Sequence, residues 1–587
     1  MAKREPDGRA ARPPVAAPTS ATRTCFADKG WLLALALVLV TFVAYAPVWH
    51  AGFVWDDDAH ITKNVNLRSV DGLRRIWVEP QTSPQYYPLA LTSHWMEYHL
   101  WRLNPLGYHL VNVLLHALNA VLLWLVLQRL QIPGAWLAAA IFAVHPVEVE
   151  SVAWVSERKN VLSGAFYLLA MLAYFRFRPL TGPGRTDSPN WRLYPLVIVL
   201  FVCALLSKTV TCSLPAVLVL LTWWKTGRVE KKDVWALTPL FILGAGLGLA
   251  TAWLEKHHVG AAGVDWSLSI LQRCLLAGRT LWFYVGKLVW PDQFTFIYPR
   301  WEIDPSVWWQ YLFSFAAVVV LAALWGLRRR IGRGPLVAAL VFGGTLLPAL
   351  GFVDVFPFLY SYVADHFQYL AGVALIVLAA TAGARLCART GQPGKIIATA
   401  GAPILIVVLG TLTWKQAGVY RDSESLWQDT IAKNPSCWMA HNNLGHALAQ
   451  VGEIPKAIWQ FEQAVRIKPD DADAHYNLAL ALVLAGKSED AIGQFERALR
   501  IAPDDAEAHY NLGVTLQRAG QAPDAMAHFE QALRLRPDFA EAHCALGIAL
   551  EKTGRVREAI RHYEQALRIK PDFAQAQNRL ARLRARQ

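Results

Sequence analysis

The chain has 587 residues, which is too long for one compact domain and predicts at least two. Hydrophobic residues make up 54% and charged residues 17%, fewer than the roughly 25% of an average soluble protein, so bilayer-embedded segments are expected. The net charge of +13 raises the question of nucleic acid, but many cations occupy short loops between apolar runs, as in membrane proteins, and we predict no nucleic-acid partner.

The first 29 residues are rich in Ala, Pro and Arg, a composition that predicts a disordered cytoplasmic N-terminus. The apolar run that follows has no convincing small-residue cleavage site, so we expect a retained first span and not a removed signal peptide. The seven cysteines show no CxxC pair and no metal-ligand spacing, which predicts unpaired thiols and no metal centre.

Apolar runs suited to membrane helices recur over residues 30–415, where we predict a polytopic membrane domain of about eleven spans. The predicted spans are 31–49, 108–129, 134–147, 160–177, 193–207, 209–224, 235–254, 307–326, 335–353, 367–386 and 395–414. Lys and Arg cluster in alternate loops, which places those loops on the cytoplasmic side. This parity requires 268–290 to be a helix that does not cross, and it puts the C-terminal region on the outer side.

Beyond residue 421, prolines, glycines and alanines recur every 34 residues. The prolines are Pro435, Pro469, Pro503, Pro537 and Pro571. A 34-residue helix–turn–helix period with small residues at the close contacts is typical of tetratricopeptide repeats. We therefore predict an all-α chain: the membrane domain, a linker with a degenerate repeat helix at 416–436, four repeats at 437–572 and a capping helix at 573–587.

The first helix of successive repeats carries an asparagine at the same position, namely Asn443, Asn477 and Asn511. Equivalent positions stack into a row along one face of a solenoid. A row of side-chain amides can bond an extended backbone regardless of its sequence, so we predict that these residues bind an acceptor polypeptide. The alternative is that they are ordinary repeat packing.

Carboxylates gather in predicted outer loops. Asp56, Asp57 and Asp58 follow the first span, while Glu148 and Glu150 follow the third. Acids at a bilayer surface attract a cation or a reacting proton, which marks them as candidate catalytic residues. Cations and aromatic residues in the outer segments complete a polar surface on one membrane face.

The segments FVWDDDAHI, YYPL and HPVEVESVAWVSERKNVLS, followed by the repeats, resemble the transmembrane-and-tetratricopeptide protein O-mannosyltransferases and their bacterial relatives. The resemblance runs from about residue 31 to the end of the chain. It implies a GT-C glycosyltransferase fold, and an enzyme that moves a sugar from a polyprenyl-phosphate donor to Ser or Thr of an outer-side protein. It implies no cofactor beyond this lipid-linked substrate and leaves a divalent cation open.

The resemblance also suggests residue roles. Asp56 and Asp57 match the paired acidic motif, and one of them is expected to be the base that activates the acceptor hydroxyl. Glu148 or Glu150 is expected to orient the sugar or a cation. The candidates for stabilising the departing lipid phosphate are Arg158, Lys159, Lys208, Arg279 and His366.

Asp58 and the Tyr86-Tyr87 pair depart from the family pattern, which leaves the sugar open between mannose and a related one. Two other functions remain: a non-enzymatic membrane scaffold that assembles proteins on its repeats, and a transferase acting on lipid-linked glycan or polysaccharide. The expected location is a bacterial inner membrane with periplasmic repeats, or an endoplasmic reticulum membrane with luminal repeats in a eukaryote.

Overall fold

The computed structural model describes residues 30–83, 85–180, 189–254, 256–257 and 268–585, with nothing said of the Lys395 side chain. The predicted N-terminal segment 1–29 lies outside these residues. Within them the chain consists of helices and connecting loops and contains no strand, which confirms the predicted all-α class.

Each predicted span overlaps at least one of the helices that precede the repeats. In chain order they are α1 (Gly30–Ala44), α2 (Val70–Val78), α3 (Pro88–Trp101), α4 (Pro105–Arg129), α5 (Ala135–Val144), α6 (Val149–Ala153), α7 (Arg158–Phe177), α8 (Tyr194–Ser207), α9 (Leu214–Thr226), α10 (Lys231–Leu254), α11 (Ile270–Val289), α12 (Tyr311–Leu327), α13 (Gly334–Leu346), α14 (Gly372–Arg389), α15 (Gln392–Ile396) and α16 (Ala402–Ala417).

Helix length supports fewer crossings than the eleven predicted. In the described part of the chain, six helical segments are long and apolar enough to cross a membrane, or seven if α5 and the segment after it, bent by 52°, count as one. Three more apolar helices are shorter. At 1.5 Å per residue, the 15 residues of α1 extend about 22 Å, less than the roughly 30 Å of a hydrocarbon core, and a 3₁₀ turn at Ala46–His50 carries the chain onward.

Helix α11 occupies the predicted region 268–290. It carries Arg273, Arg279 and Lys287, and it is not among the long apolar helices. Its formation is confirmed, whereas its position at the outer surface stays a prediction.

A polar row on α4 fixes the segment that follows α5. His109, Asn112, His116 and Asn119 recur at helical spacing, and all four are buried. The Asn112 amide donates to the carbonyl of Val152 at 3.1 Å, on the far side of the bend. Because an unpaired backbone carbonyl in an apolar interior costs several kcal/mol, this row stabilises the broken helix against α4.

The repeats fold as helix hairpins with the predicted period. They comprise α17 (Ser423–Lys433), α18 (Trp438–Gln450), α19 (Ile454–Ile467), α20 (Ala472–Leu484), α21 (Ser488–Ile501), α22 (Ala506–Arg518), α23 (Ala522–Leu535), α24 (Ala540–Lys552), α25 (Val556–Ile569) and the capping α26 (Ala574–Arg584). A Cβ on Gly445 would meet the Phe461 ring at 2.7 Å, which explains the small residue at this helix contact.

The solenoid begins directly above the membrane domain. Lys433 donates to the carbonyl of Phe294 at 2.7 Å. Trp427 on α17 is buried, and its ring lies 5.5 Å from Phe296 and 6.2 Å from Trp55. The start of the repeat region is therefore packed on the loop that carries the three aspartates.

Candidate active site

Asp57 is a fully buried member of the aspartate triplet. One carboxylate oxygen accepts from the backbone N–H of Val54 at 2.9 Å. The other accepts from the backbone N–H of Ser156 at 2.8 Å and from its hydroxyl at 2.5 Å. Burial, with the neighbouring Asp56 charge second, raises the pKa of Asp57 to about 7, although these three donors oppose the shift. The contacts tie the first outer loop to the segment that begins α7.

Asp56 is the aspartate of the triplet whose carboxylate has the fewest contacts. Its side chain is 28% exposed, and Oδ2 lies 3.5 Å from Nε2 of His60. Oδ1 has no hydrogen-bond partner among the described residues. Asp56 also lies within electrostatic range of Lys159. Oδ1 is itself buried, so Asp56 combines a partly exposed side chain with one buried oxygen that has no donor, near a cation. A carboxylate of this kind can act as a general base once an acceptor hydroxyl reaches it.

Asp58 turns away from this pair. It forms an ion pair with Lys63 at 2.9 Å and accepts from the Thr62 hydroxyl at 2.7 Å, and its side chain is 45% exposed. His446, on the first helix of the first repeat, lies within its electrostatic range. The structure thus separates Asp58 from the buried cluster and places it toward the repeats.

Glu157 connects the cations, and sequence analysis missed it. Its oxygens lie 2.9 Å from the Lys159 ammonium and 3.1 Å from that of Lys208, and one also accepts from Asn160 at 2.7 Å. Two ammonium groups therefore share one carboxylate. An available signal was the acid itself, directly before Arg158 and Lys159 at the start of an apolar helix, where an unpaired charge is costly.

Glu150 and His366 form a second pair beside this group. Glu150 accepts from the backbone N–H of His366 at 2.9 Å, and its other oxygen lies 3.0 Å from Nδ1 of the ring. Nε2 of the same ring lies 3.9 Å from Glu157. Glu150 therefore orients His366 toward the carboxylate that both lysines contact.

The Arg158 side chain points toward α3 and α4 and not toward Glu157, although Arg158 directly precedes Lys159. It is fully buried, with its Nε donating to Asn112 and one terminal nitrogen donating to Ser93 at 3.1 Å and Glu97 at 2.6 Å. The other terminal nitrogen donates to the carbonyl of Tyr108 at 2.9 Å. With its guanidinium engaged in this way, Arg158 braces α7 against α3 and α4.

Arg279 belongs to a different surface. Its guanidinium stacks on Trp301, 4.3 Å from the ring centre, and lies 5.9 Å from that of Trp309. In the described ranges no hydrogen bond or ion pair joins it to Glu157 or Asp56.

Glu148 is fully buried, and neither of its oxygens has a hydrogen-bond partner within the described part of the chain. Glu148 lies within electrostatic range of Asp365, whose carboxylate accepts a hydrogen bond from the Tyr298 hydroxyl at 3.0 Å. Burial, followed by the charge of Glu150, raises the pKa of Asp365 well above its usual range. Lys287 and Lys433 lie within electrostatic range of Asp365 and oppose this shift.

Aromatic side chains close the cluster on the repeat side. The rings of Trp55 and Trp154 lie 5.3 Å apart, and Phe296 packs 5.2 Å and 5.0 Å from them. The Lys159 ammonium lies 5.8 Å from the ring centres of Trp154 and Tyr87. Such a wall excludes water and offers apolar faces to a sugar ring.

The asparagine row is partly engaged within the solenoid. Asn477 donates to Asn442 at 3.1 Å, and Asn511 donates to the hydroxyl of Tyr476 at 2.8 Å. Asn443 makes no side-chain hydrogen bond among the described residues and is half-buried. The row keeps amide oxygens for a ligand, and its first member has a complete unused amide.

Comparison with known proteins agrees with this organisation. Tetratricopeptide-repeat family models match residues 409–472, 444–506 and 504–572. The crystal structure of MamA is 24% identical, covering 26% of this chain and 88% of that one, with a TM-score of 0.25. That of YrrB, described as a TPR protein with an unusual peptide-binding site, is 20% identical, covering 31% and 95%, with a TM-score of 0.25.

Curated relatives match both the membrane domain and the repeats. Protein O-mannosyl-transferase Tmtc3 of Drosophila melanogaster is 26% identical in an alignment of 523 positions that covers 74% of this chain and 55% of that one. Protein O-mannosyl-transferase TMTC4 of Homo sapiens is 27% identical in an alignment of 492 positions that covers 71% of this chain and 64% of that one. This chain therefore matches only 55% to 64% of the length of these relatives. Over most of its length, the chain is a homologue of proteins named TMTC protein O-mannosyl-transferases, and it ends in a tetratricopeptide-repeat solenoid.

Proposed function

We propose that this protein is a membrane glycosyltransferase. It transfers mannose or a related sugar from a polyprenyl-phosphate donor to Ser or Thr hydroxyls of proteins on the outer side of the membrane. The observation that carries the proposal is the unpartnered oxygen of Asp56, within electrostatic range of Lys159, which shares Glu157 with Lys208. The names of the relatives support the class of reaction.

In this mechanism the oxygen of the acceptor hydroxyl bonds to the anomeric carbon of the sugar, and Asp56 accepts the proton of that hydroxyl. The bond between that carbon and the donor phosphate oxygen breaks, and the phosphate leaves with the electron pair. Lys159 and Lys208 share one carboxylate, so their excess positive charge stabilises the leaving phosphate, and His366 supplies a further donor.

Several of the predicted residues act by positioning these groups. Asp57 holds the loop that presents Asp56, Arg158 fixes the start of α7, and Glu150 orients His366. Since their hydrogen-bonding atoms are already engaged, they need no contact with substrate. Glu148 supplies a buried acceptor beside Asp365 for a sugar hydroxyl, and the Arg279 stack makes no contact that the reaction uses.

The repeats supply the acceptor. Helix α17, which precedes the first repeat, contacts the outer loops through Trp427 and Lys433, so a polypeptide lying along Asn443, Asn477 and Asn511 is led toward Asp56. Amide groups that bond a backbone give affinity without sequence specificity.

Transfer of labelled sugar in membranes tests this function. Polyprenyl-phosphate donors are supplied to membranes that contain the wild type, Asp56→Asn, or the control Asp71→Asn, an exposed acid of the same outer loop. The expected result is label in protein that is lost in Asp56→Asn alone. Label confined to lipid or polysaccharide would establish the glycan-transferase alternative. No transfer from any donor, with cellular function kept in Asp56→Asn and lost when the repeats are disrupted, would establish the scaffold.

A further inference from the structure

A cavity lies within the membrane domain. Its volume is ≈ 780 Å³, and helices α4, α5, α7, α9, α13 and α14 line it. The walls are mostly aliphatic, with Leu123, Leu127, Leu168, Val217 and Val373 among them. A cavity of this size and lining in a membrane helix bundle suits hydrocarbon chains.

The cavity runs between two ends of different character. At one end it meets Asn119 and Tyr369, whose side chains are hydrogen-bonded to each other at 2.9 Å. At the other it reaches Leu130, at the end of α4. Leu130 follows Asn119 by eleven positions, which correspond to about 17 Å of helix and exceed half the thickness of a hydrocarbon core.

Arginines surround that second end. Arg330, Arg333, Arg385 and Arg389 all line the cavity. Arg333 donates to the carbonyl of Trp223 at 3.1 Å. The side chains of Arg330, Arg385 and Arg389 have neither an ion pair nor a hydrogen bond among the described residues, and all three residues are exposed.

Nearby acids do not neutralise this charge. Glu230 and Asp233 both pair with Arg178, at 2.8 Å and 2.9 Å. Lys225 adds a further cation within electrostatic range of Arg385. A concentration of cations at the mouth of an apolar cavity attracts an anion, and a guanidinium group can bind phosphate with two hydrogen bonds.

We propose that this cavity is a binding site for an anionic glycerophospholipid, whose acyl chains occupy the aliphatic walls and whose phosphate-bearing headgroup contacts the arginines. Basic pockets between membrane helices recognise lipid headgroups in this way. The site differs from the proposed donor site because its charged end lies at the opposite end of α4 from Asn112 and the acidic cluster. It does not rest on the proposed transferase activity.

Lipid retention by the full chain in detergent, measured by native mass spectrometry, tests the proposal. The probes are phosphatidylglycerol, phosphatidylcholine with the same acyl chains, and undecaprenyl phosphate. Arg385→Gln/Arg389→Gln removes two headgroup contacts, with Arg328→Gln/Arg329→Gln as a control of equal charge outside the cavity. Ala338→Trp fills the cavity, with Ala339→Trp on the same helix as its control, because only Ala338 lines the cavity.

The expected result is one phosphatidylglycerol retained at least tenfold more strongly than phosphatidylcholine. Both test variants lose this preference, and both controls keep it. Equal retention of the two phospholipids, or retention unchanged in both test variants, would overturn the proposal. Preferential retention of undecaprenyl phosphate that depends on the same variants would also overturn it, since the occupant would then be a polyprenyl lipid. Full displacement of phosphatidylglycerol by millimolar glycerol phosphate would reduce the site to a surface anion site and likewise contradict it.

Discussion

Ser156 donates both its backbone N–H and its hydroxyl to one oxygen of Asp57, at 2.8 Å and 2.5 Å, across 99 residues of sequence. The other oxygen of Asp57 is bonded to Val54. Of the two adjacent acids, Asp57 therefore anchors the loop, whereas Asp56 keeps one oxygen without a hydrogen-bond partner among the described residues.

Ser156→Ala removes the hydroxyl donor to a buried carboxylate. Hydrogen bonds to charged groups contribute about 1.5–3 kcal/mol, so we expect a lower melting temperature and reduced sugar transfer although Ser156 contacts no substrate. Thermal unfolding in detergent and the transfer assay measure the two effects. Ser488→Ala, half-buried on a repeat helix, is the control. Unchanged stability and transfer in Ser156→Ala would contradict the anchoring role.

The stability of the protein should depend on Asp57 ionisation. The pKa of Asp57 is about 7 in the folded protein against 3.8 for the free side chain, so between these values the folded state binds the additional proton. Stability is then fully present at low pH and falls as pH rises toward 7, by up to about 1.4 kcal/mol per pH unit. Melting temperatures of wild type and Asp57→Asn between pH 4.5 and 8 test this. Parallel curves for the two proteins would rule it out.

Arg158 and Lys208 should give different kinds of defect. Arg158→Gln leaves Glu97 buried without its cation, and breaking a buried pair costs about 3–5 kcal/mol, so we expect poor folding. Lys208→Met leaves Glu157 paired with Lys159, so we expect a folded protein with weakened donor use. Unfolding measurements, together with kcat and KM for the donor, distinguish them. A stable Arg158→Gln protein with only a donor defect would restore Arg158 as a phosphate ligand.

The asparagine row should affect only the acceptor. Asn443→Ala removes an amide without an internal partner, and so we expect a several-fold higher KM for polypeptide acceptor with the donor KM unchanged. Asn511→Ala also breaks the bond to Tyr476 and should lower repeat stability as well. A short Ser-containing peptide that cannot reach the repeats is the control substrate. Equal loss with the short and the long acceptors would show that the row is repeat packing.

The elements that the sequence predicted well depend on local pattern. Hydropathy located a helix in every predicted span, and the 34-residue period located the repeat hairpins, because both patterns arise from residues close in sequence. The number of crossings was less accessible, since bends such as that after Val144 and 3₁₀ turns divide apolar runs into short helices.

Side-chain direction limited the prediction of the site. Arg158 and Lys159 are adjacent, yet consecutive helical residues point about 100° apart, so one reaches Glu97 and the other Glu157. Asp56 and Asp57 are adjacent as well, and a paired motif could not show that it is Asp57 that contacts Ser156. Glu157 gains its importance from Lys208, 51 residues away, and such a contact exists only in the folded chain.

The most direct measurement is sugar transfer by the purified protein, in lipid nanodiscs, from a polyprenyl-phosphate donor to an acceptor polypeptide. Wild type, Asp56→Asn and Asp71→Asn are compared at equal, verified folding. A general base contributes about 10²- to 10⁴-fold, so we expect at least a 100-fold loss of kcat in Asp56→Asn and none in Asp71→Asn. Transfer by Asp56→Asn at the wild-type rate would contradict the assignment of Asp56 as the base.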